Sequence, residues 1–535
     1  MVPQWVKKSW IYPSLRRTAS ALEKGLLQME YALLSRPKRQ KELWEQIRVF
    51  PHSNGSRFYT QMRYRVGIVA DQFLFDNYFC TCNLVYLTPE NWLDQLPTLD
   101  CVIVTSVWHG LGGEWTGASS PGSACSTQLY ELMKETRRRG CPIIFYSKED
   151  PPNFDCFQMY AGLADQIYTS ARECIDHYLA LYPSIPVDTM PFAISPLLHN
   201  PIGMKPLDRN MSTAFFAGSW MKKYPKRVAQ QKQFFDWTQK SGLLLEIADR
   251  NYSRYSLRYR YPLRYLRSVF PDLPYSKISI LYKLHSWILN FNSVIDSLDM
   301  FSLRVYDALA CGSLVLSNNS IGMQTKFPQV YVINSYEQML QVINTPIPLL
   351  EQRRLDGVRQ VFRAGTAYER MQQMLSSVGL VSSCVSNDLI GVILSKNISD
   401  KTHLKAMFES QTYNNKLLIE SHEDTAQINR CGILTLWDNG HEYSPTYLED
   451  MINCFKYTSC DYITKHSTPS GEAIPGNVRH GYTQWIANPY ATIFGAEVYA
   501  RLGGQIPSKG FLLPNGYATD GSGYGFDSRQ NAEWS

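Results

Sequence analysis

No stretch of this sequence stays apolar for the roughly 20 residues that a helix needs to cross a bilayer. No apolar run follows the early lysines either, so no secretory leader is read there. Cysteine is not organised for zinc. Of twelve, only Cys80 and Cys82 lie close together, with no second pair and no histidine at ligand spacing. These absences read as a chain kept in the reducing cytoplasm with buried thiols, whose membrane contact, if any, is peripheral at the inner face. Charge of one sign is scarce too. A net +6 over 535 residues does not demand a nucleic-acid partner, and none is expected; it fits an anionic ligand such as a nucleotide diphosphate. The glycines around residues 110–113 lack the Lys-Ser/Thr of a phosphate-binding P-loop and the spacing of a dinucleotide fingerprint. Asn210 and Asn397 fit a glycosylation pattern that means nothing in a cytoplasmic chain.

What is present is a globular composition, 44% apolar and 19% charged, in a chain long enough for about three domains. Aromatics reach 13%, which suits carbohydrate stacking as well as core packing. Basic residues crowd two places: Lys7, Lys8, Arg16, Arg17, Lys24, Arg36, Lys38 and Arg39 near the N-terminus, and Arg254, Arg258, Arg260, Arg264 and Arg267 in a tyrosine-rich stretch. Either could be a solvated face or a nucleic-acid surface.

Residues 1–60 read as a helical segment. Leu22, Leu26, Leu27, Met29, Leu33 and Leu34 recur at helical spacing, Pro37 interrupts, and a second helix is expected over 41–50. From Arg65 the period changes. The apolar runs at 66–70, 101–105 and 142–146, with a helix over 126–139 stopped by Gly140, predict buried parallel strands alternating with helices. After a proline-rich linker near 190–210 the alternation restarts, with strands at 214–217, 243–248, 287–291, 314–317 and 330–333 and a helix over 226–240. The economical reading is two Rossmann-like lobes, 61–200 and 201–380, with ligands bound beyond the carboxyl ends of the strands in a cleft. A third α/β unit, 385–535, has strands at 390–394, 416–420 and 433–437 and helices over 404–411 and 445–455; its glycine-rich tail from Gly510 is expected to be loose.

The most informative segment runs from Asp299 through Arg304 and Asp307 to Gly312. Eight residues separate the two acids, close to two helical turns, so they share a face if one helix spans both; otherwise a loop carries the first acid to the helix mouth. Carboxylates suit vicinal sugar hydroxyls, and backbone amides with an arginine suit a diphosphate.

This segment resembles the Glu-x7-Glu region of group 1 GT-B glycosyltransferases, with Asp in both acidic places. With Phe216-Ala-Gly218-Ser219, Tyr224-Pro-Lys-Arg227, Leu289-Asn290 and Arg304-Val-Tyr-Asp307-Ala-Leu-Ala-Cys-Gly312, it is similar to the CgeB-like subset over residues 211–320. The resemblance implies a GT-B fold and a second lobe that binds a nucleotide diphosphate sugar, a UDP-sugar first. Asp307 would hold the ribose, Arg304 and Arg227 the diphosphate, and Gly218 and Ser219 would allow backbone approach, with Asn290 and Asp299 beside them. Each Asp shortens the reach of a Glu by one methylene.

The first lobe resembles the N-terminal half of such enzymes more weakly, at Asp71-Gln-Phe, at 87–92, at 106–115 and at Lys148-Glu149-Asp150-Pro151. His109, Glu114 and Asp150 are the candidate bases for the acceptor hydroxyl. The third unit resembles a family 2, GT-A-like domain. It keeps Asp438 where an Asp-x-Asp would bind metal, with Asn439 and Gly440 in place of further acids, and an acceptor-side acid is missing after Asp527. It reads as degenerate or truncated and used for acceptor binding or assembly. Magnesium or manganese is expected only if that domain is active, and no cofactor at the GT-B centre, where basic residues and helix ends neutralise the leaving diphosphate.

The expected function is glycosyl transfer to a hydroxyl of a glycan, polymer or lipid-linked acceptor in surface glycan assembly. Two alternatives stand beside it: a non-catalytic glycan-binding scaffold on the same fold, and a nucleic-acid binder using residues 252–267.

Overall fold

A computed structural model describes residues 11–208, 211–395, 398, 401–465 and 480–526, with side chains from residue 21 onward. The glycosylation-like sites at Asn210 and Asn397, the residues Lys7, Lys8 and Asp527, and the side chains of Arg16 and Arg17 lie outside this set. The chain forms two compact units.

The larger unit comprises Pro51–Pro206, Ser297–Gly312 and Arg354–Ser535. Its first sheet is built from β1 (Met62–Val69), β2 (Cys82–Tyr86), β3 (Cys101–Thr105), β4 (Ile143–Ser147), β5 (Gln166–Thr169) and β6 (Val187–Thr189). Their order is β2-β1-β3-β4-β5-β6 and every neighbouring pair is parallel. β3, β4 and β5 are buried along their whole lengths, which is why β3 and β4 read as unbroken apolar runs rather than alternating ones. Helix Ala124–Arg138 starts at Ser123, whose side chain accepts from the Ser126 amide, and is followed by Gly140 at φ +71°.

The smaller unit comprises Met1–Phe50, Leu207–Asp296 and Ser313–Arg353. Its strands are β7 (Thr213–Gly218), β8 (Leu244–Asp249), β9 (Val269–Pro271), β10 (Trp287–Asn290), β11 (Leu314–Ser317) and β12 (Tyr331–Val332). They form a second all-parallel sheet, β12-β11-β10-β7-β8-β9. The fold class is therefore the expected one, α/β with two Rossmann-like lobes.

The third sheet belongs to the larger unit and is mixed. β13 (Ile390–Leu394), β14 (Lys416–Ile419), β15 (Ile433–Trp437), β17 (Tyr462–Lys465), β18 (Gly481–Ile486), β19 (Thr492–Gly495) and β20 (Phe511–Thr519) run in the order β14-β13-β15-β19-β17-β20-β18, while β16 (His441–Tyr443) pairs with β21 (Tyr524–Phe526). The tail expected to be loose is instead β20, paired on both sides and ending in the buried Tyr517 and Ala518. Gly516 has a packing role: a Cβ there would lie 2.0 Å from the Tyr462 ring, so the glycine makes room for that aromatic.

The N-terminal helices run Ile11–Leu34 and Pro37–Arg48, and Pro37 opens the second rather than merely breaking the first. Both belong to the smaller unit. Glu246, fully buried on β8, accepts from Arg39 Nε at 2.8 Å and Nη2 at 3.0 Å and from Arg36 Nη1 at 3.1 Å, and His285 Nε2 lies 2.7 Å away. Burial alone would raise this carboxyl, but His285 and Arg39 outweigh it and hold it at about 2. Among the described residues no helix is long and apolar enough to cross a membrane.

Replacing Glu246 with Gln leaves two guanidinium groups without their shared anion and should cost on the order of 3–5 kcal/mol at neutral pH. The folded carboxyl sits below its unfolded value, so its stabilisation is fully present above about pH 4.5 and is lost as pH falls toward 2. Urea melts of wild type and variant should converge over that window; a difference that stays constant down to pH 2 contradicts the assignment.

Candidate active site

In the smaller unit, four strands end in polar side chains along one edge of the second sheet. At the end of β7, Gly218 gives its carbonyl to the Tyr261 hydroxyl at 3.0 Å, and the buried Ser219 Oγ accepts from Asn251 Nδ2 at 2.7 Å. At the end of β8, Asp249 is buried and accepts from the Asn251 amide at 2.9 Å. Burial pushes its carboxyl up to about 7. At the ends of β10 and β11, Asn290 Nδ2 donates to Ser317 Oγ at 2.9 Å and to Asn292 Oδ1 at 3.2 Å. The Asn292 amide donates to Asn318 Oδ1 at 2.7 Å, and Asn318 Nδ2 reaches Gln230 Oε1 at 2.8 Å. Arg227, in the first turn of helix Pro225–Lys240, donates to Ser293 Oγ at 3.2 Å. The fold thus brings Gly218, Ser219, Arg227 and Asn290 to one sheet edge, as expected of a ligand site in an open parallel sheet. Asp249, Asn251, Asn292 and Asn318 belong to the same edge and were not singled out from sequence. The available signal was a polar residue immediately following each apolar run.

The acidic segment belongs to the larger unit. Its helix begins at Arg304 and ends at Ala310, so Asp299 precedes it and the two acids do not share one helical face. Asp299 accepts from Arg172 Nε at 3.0 Å and from the Arg172 amide at 3.3 Å. Asp307 is buried, 2% exposed, with Oδ1 3.7 Å from His199 Nε2, while Arg304 is half-buried and donates to Ser302 Oγ at 3.5 Å. Gly312 is at φ +69°, and a Cβ there would sit 2.1 Å from Met204 Sδ, so both the backbone and the space favour glycine.

At the carboxyl ends of β1, β3 and β4 one ion pair organises the candidate acceptor-side residues. Asp71 accepts from the amides of Trp108 at 3.1 Å, His109 at 2.9 Å and Gly110 at 3.0 Å. Lys148, buried, places Nζ 3.0 Å from Asp71 and 2.9 Å from Glu149. Burial works to raise the Asp71 carboxyl, but Lys148 and the amides prevail and hold it below the usual range. His109 is exposed, with Nδ1 3.3 Å from Thr116 Oγ1. Glu114 accepts from the Gly112 amide at 2.9 Å and the Tyr86 hydroxyl at 3.2 Å. His109 and Glu114 therefore share a loop, whereas Asp150 points elsewhere. It is enclosed by Thr169 Oγ1 at 2.7 Å and the Tyr178 hydroxyl at 3.1 Å, and burial raises its pKa.

In the third sheet Asp438 follows β15. His441 lies against the rings of Tyr490 at 5.0 Å and Tyr524 at 5.5 Å, and burial lowers it to about 4. Among the described residues, no group of three or more His, Cys, Asp or Glu side chains is placed to hold a metal ion.

No family model matches the sequence, and no curated protein matches it. Among solved structures the chain is similar to an alpha-glucosyltransferase in complex with UDP and a 13-mer DNA containing an HMU base (10% identity, TM-score 0.41, 59% of this chain and 100% of that one). It is also similar to the sucrose-phosphate synthase of Thermosynechococcus elongatus (11%, 0.38, 59% and 89%). A third is the DNA-modifying enzyme beta-glucosyltransferase (11%, 0.38, 58% and 99%). One of these is a DNA complex and another a DNA-modifying enzyme, which overturns the expectation that nucleic acid can be excluded as a partner.

Two outcomes test this geometry. Asp71→Ala should speed amide hydrogen exchange at Trp108, His109 and Gly110 well beyond any change in the β3 core, because those three amides lose their common acceptor. Asp249→Asn should stabilise the protein relative to wild type increasingly as pH rises from about 4 to 7, since the raised folded pKa makes the wild type lose stability across that interval. Parallel stability profiles of wild type and the Asn variant contradict the second.

Proposed function

We propose that this chain is a glycosyltransferase, of the group 1, CgeB-like kind, that takes a nucleotide diphosphate sugar, a UDP-sugar first, and transfers the sugar to a hydroxyl. The observation that carries the reading is the polar edge of the second sheet, where Ser219, Asn251, Asn290, Asn292 and Asn318 supply amide and hydroxyl groups at the ends of four buried strands. Such groups hydrogen-bond a ribose and a uracil-like ring without adding negative charge. Arg227, with Lys222, Lys223 and Lys226 nearby in sequence, supplies the cations that a diphosphate requires. The resemblance gives Arg304 to the diphosphate and Asp307 to the ribose, with Asp299 beside them.

On the acceptor side, His109 is the stronger base candidate. It is exposed, its backbone is fixed by Asp71, and its Nδ1 faces Thr116. The acceptor hydroxyl gives its proton to His109 Nε2 as its oxygen bonds to the anomeric carbon. The bond from that carbon to the diphosphate breaks, and the nucleoside diphosphate leaves with the electron pair. Glu114, held by Gly112 and Tyr86, is placed to steady the loop, and Asp150 supports β5 from within the core. The C-terminal part that carries the third sheet would bind or position a glycan acceptor, and surface glycan assembly is the process this chemistry serves.

The burial of Asp307 favours one alternative, a glycan-binding protein that retains the nucleotide site without turnover. Calorimetry and donor-consumption assays on the full chain with a panel of UDP-, GDP- and ADP-sugars separate the two. We expect binding of at least one donor, a loss of about tenfold in affinity for Arg227→Ala or Asn290→Ala, and a fall of about 10²–10⁴ in kcat for His109→Ala with donor affinity kept. Binding with no turnover on any acceptor selects the alternative, and no binding of any nucleotide sugar ends both.

A further inference from the structure

The third sheet has an edge that the proposed reaction does not use. β15 and β17 both pair antiparallel with β19, while β13 and β20 pair parallel with β15 and β17. These four strands therefore end on one side of the sheet, where an open sheet binds its ligands. Asp438 follows β15 there. β19 runs the other way and starts there, directly after the short turn Pro489–Ala491, so that turn brings Tyr490 to the same edge.

Tyr490 is a fixed platform. Its amide donates to Asn488 Oδ1 at 2.9 Å, and its carbonyl accepts from the Tyr443 hydroxyl at 3.1 Å. Its ring stacks on His441 at 5.0 Å and 29°. His441 also stacks on Tyr524 at 5.5 Å and 24°, and Asn488 Nδ2 holds the Tyr524 hydroxyl at 2.7 Å. The Tyr490 ring is half-buried and meets no other ring among the described residues. Asp438 is half-buried as well, and its carboxylate has no hydrogen bond or ion pair among the described residues. Burial raises the hydroxyls of Tyr490 and Tyr524, and the Asp438 carboxylate nearby adds to the rise.

We propose that this edge is a metal-free site for a neutral sugar ring of a glycan, with Tyr490 as the stacking platform and Asp438 accepting hydrogen bonds from the sugar hydroxyls. An anchored aromatic face covers the apolar side of a pyranose, and an uncommitted carboxylate takes two hydroxyls at once. Rival ligands fit less well. Asp438 belongs to no group of three His, Cys, Asp or Glu side chains that could hold a metal ion among the described residues, so the divalent cation implied by the family 2 resemblance does not suit this edge. A diphosphate would meet Asp438 without a free cation. Lys465, fully buried at the end of β17, is 3.4 Å from the Asp520 carbonyl and 4.0 Å from Asp450 Oδ2. His441, lowered to about 4 by burial, brings no charge at neutral pH. A quaternary ammonium wants crossed ring faces around it, whereas Tyr490, His441 and Tyr524 lie nearly parallel. That the bound glycan is the acceptor rests on the transfer reaction proposed above.

Isothermal titration of the full chain in EDTA with maltohexaose, cellohexaose, laminarihexaose and chitohexaose should find at least one ligand. Asp438→Asn and Tyr490→Ala should each weaken it about tenfold or more, while Tyr490→Phe stays within about twofold. UDP-sugar binding should match wild type in all three variants. Asp438→Asn keeps the side-chain shape, so it decides the matter even if melting shows that Tyr490→Ala fails to fold. The proposal is overturned if none of the four saccharides binds, if neither Asp438→Asn nor Tyr490→Ala weakens binding, if binding needs added manganese, or if choline binds through Asp438 in their place. A chain that binds a UDP-sugar but no saccharide defeats this inference alone. An Asp438-dependent saccharide site in a chain that binds no UDP-sugar defeats the transferase reading alone.

Discussion

Both Rossmann-like sheets are buried on their two faces, and that constraint decides where this protein can carry chemistry. Strands such as Val102–Thr105 and Leu314–Ser317 have no solvent face on which to place a charge, so polar groups collect where the strands stop. Each stop must then satisfy its own buried donors and acceptors. The residues that resemble a transferase site lie at these stops or on the segments following them, which is why the edge of each sheet, rather than any loop tip, is the place to look for a ligand.

The two edges solve that problem with different chemistry. In the first sheet a full ion pair is enclosed: Lys148 neutralises Asp71, and Asp71 spends its remaining lone pairs on three consecutive amides. The result is a loop tied by its own backbone to Asp71, with His109 exposed on it. In the second sheet the groups are mostly amides and hydroxyls, and the Asp249 carboxyl among them is pushed to about 7 by burial, with Asp272 after β9 adding to the rise, so near neutrality it spends much of its time uncharged. An edge that keeps its own negative charge low is suited to a diphosphate, whose approach a row of ionised carboxylates would oppose.

Much of the scaffold was legible because buried strands and helix stops leave strong local marks. The runs at 101–105, 314–317, 390–394 and 433–437 coincide with β3, β11, β13 and β15 to the residue, and Gly140 ends a helix as its neighbours foretold. β5 and β20 were missed for the opposite reason. Gln166-Ile-Tyr-Thr has too few apolar residues to stand out, and the sequence of β20 carries Pro514, Asn515 and Gly516, which signal a turn when read locally. Only the ring of Tyr462, packed where Gly516 has no side chain, explains the glycine, and that partner is 54 residues away in the chain. The candidate site was legible as a set of segments but not as a network. Asp249, Asn292 and Asn318 gain their meaning from strand order, and Asp150 and Asp307 could not be known to be buried from sequence alone.

The N-terminal charge shows how composition misleads when partners are unknown. Arg36 and Arg39 counted toward a basic cluster open to membranes or nucleic acid, yet both are committed to Glu246 in the interior of their own unit. Arg260 and Arg264 of the tyrosine-rich stretch are likewise matched, by Glu30 and Asp236. The Arg260–Glu30 pair ties the first helix to its own unit and the Glu246 pairs do the same for the second, so these cations work internally rather than at a surface. In the tyrosine-rich stretch Arg254, Arg258 and Arg267 are exposed, and nucleic-acid binding through that stretch would show as a salt-dependent affinity that depends on those three and not on Arg36 or Arg39.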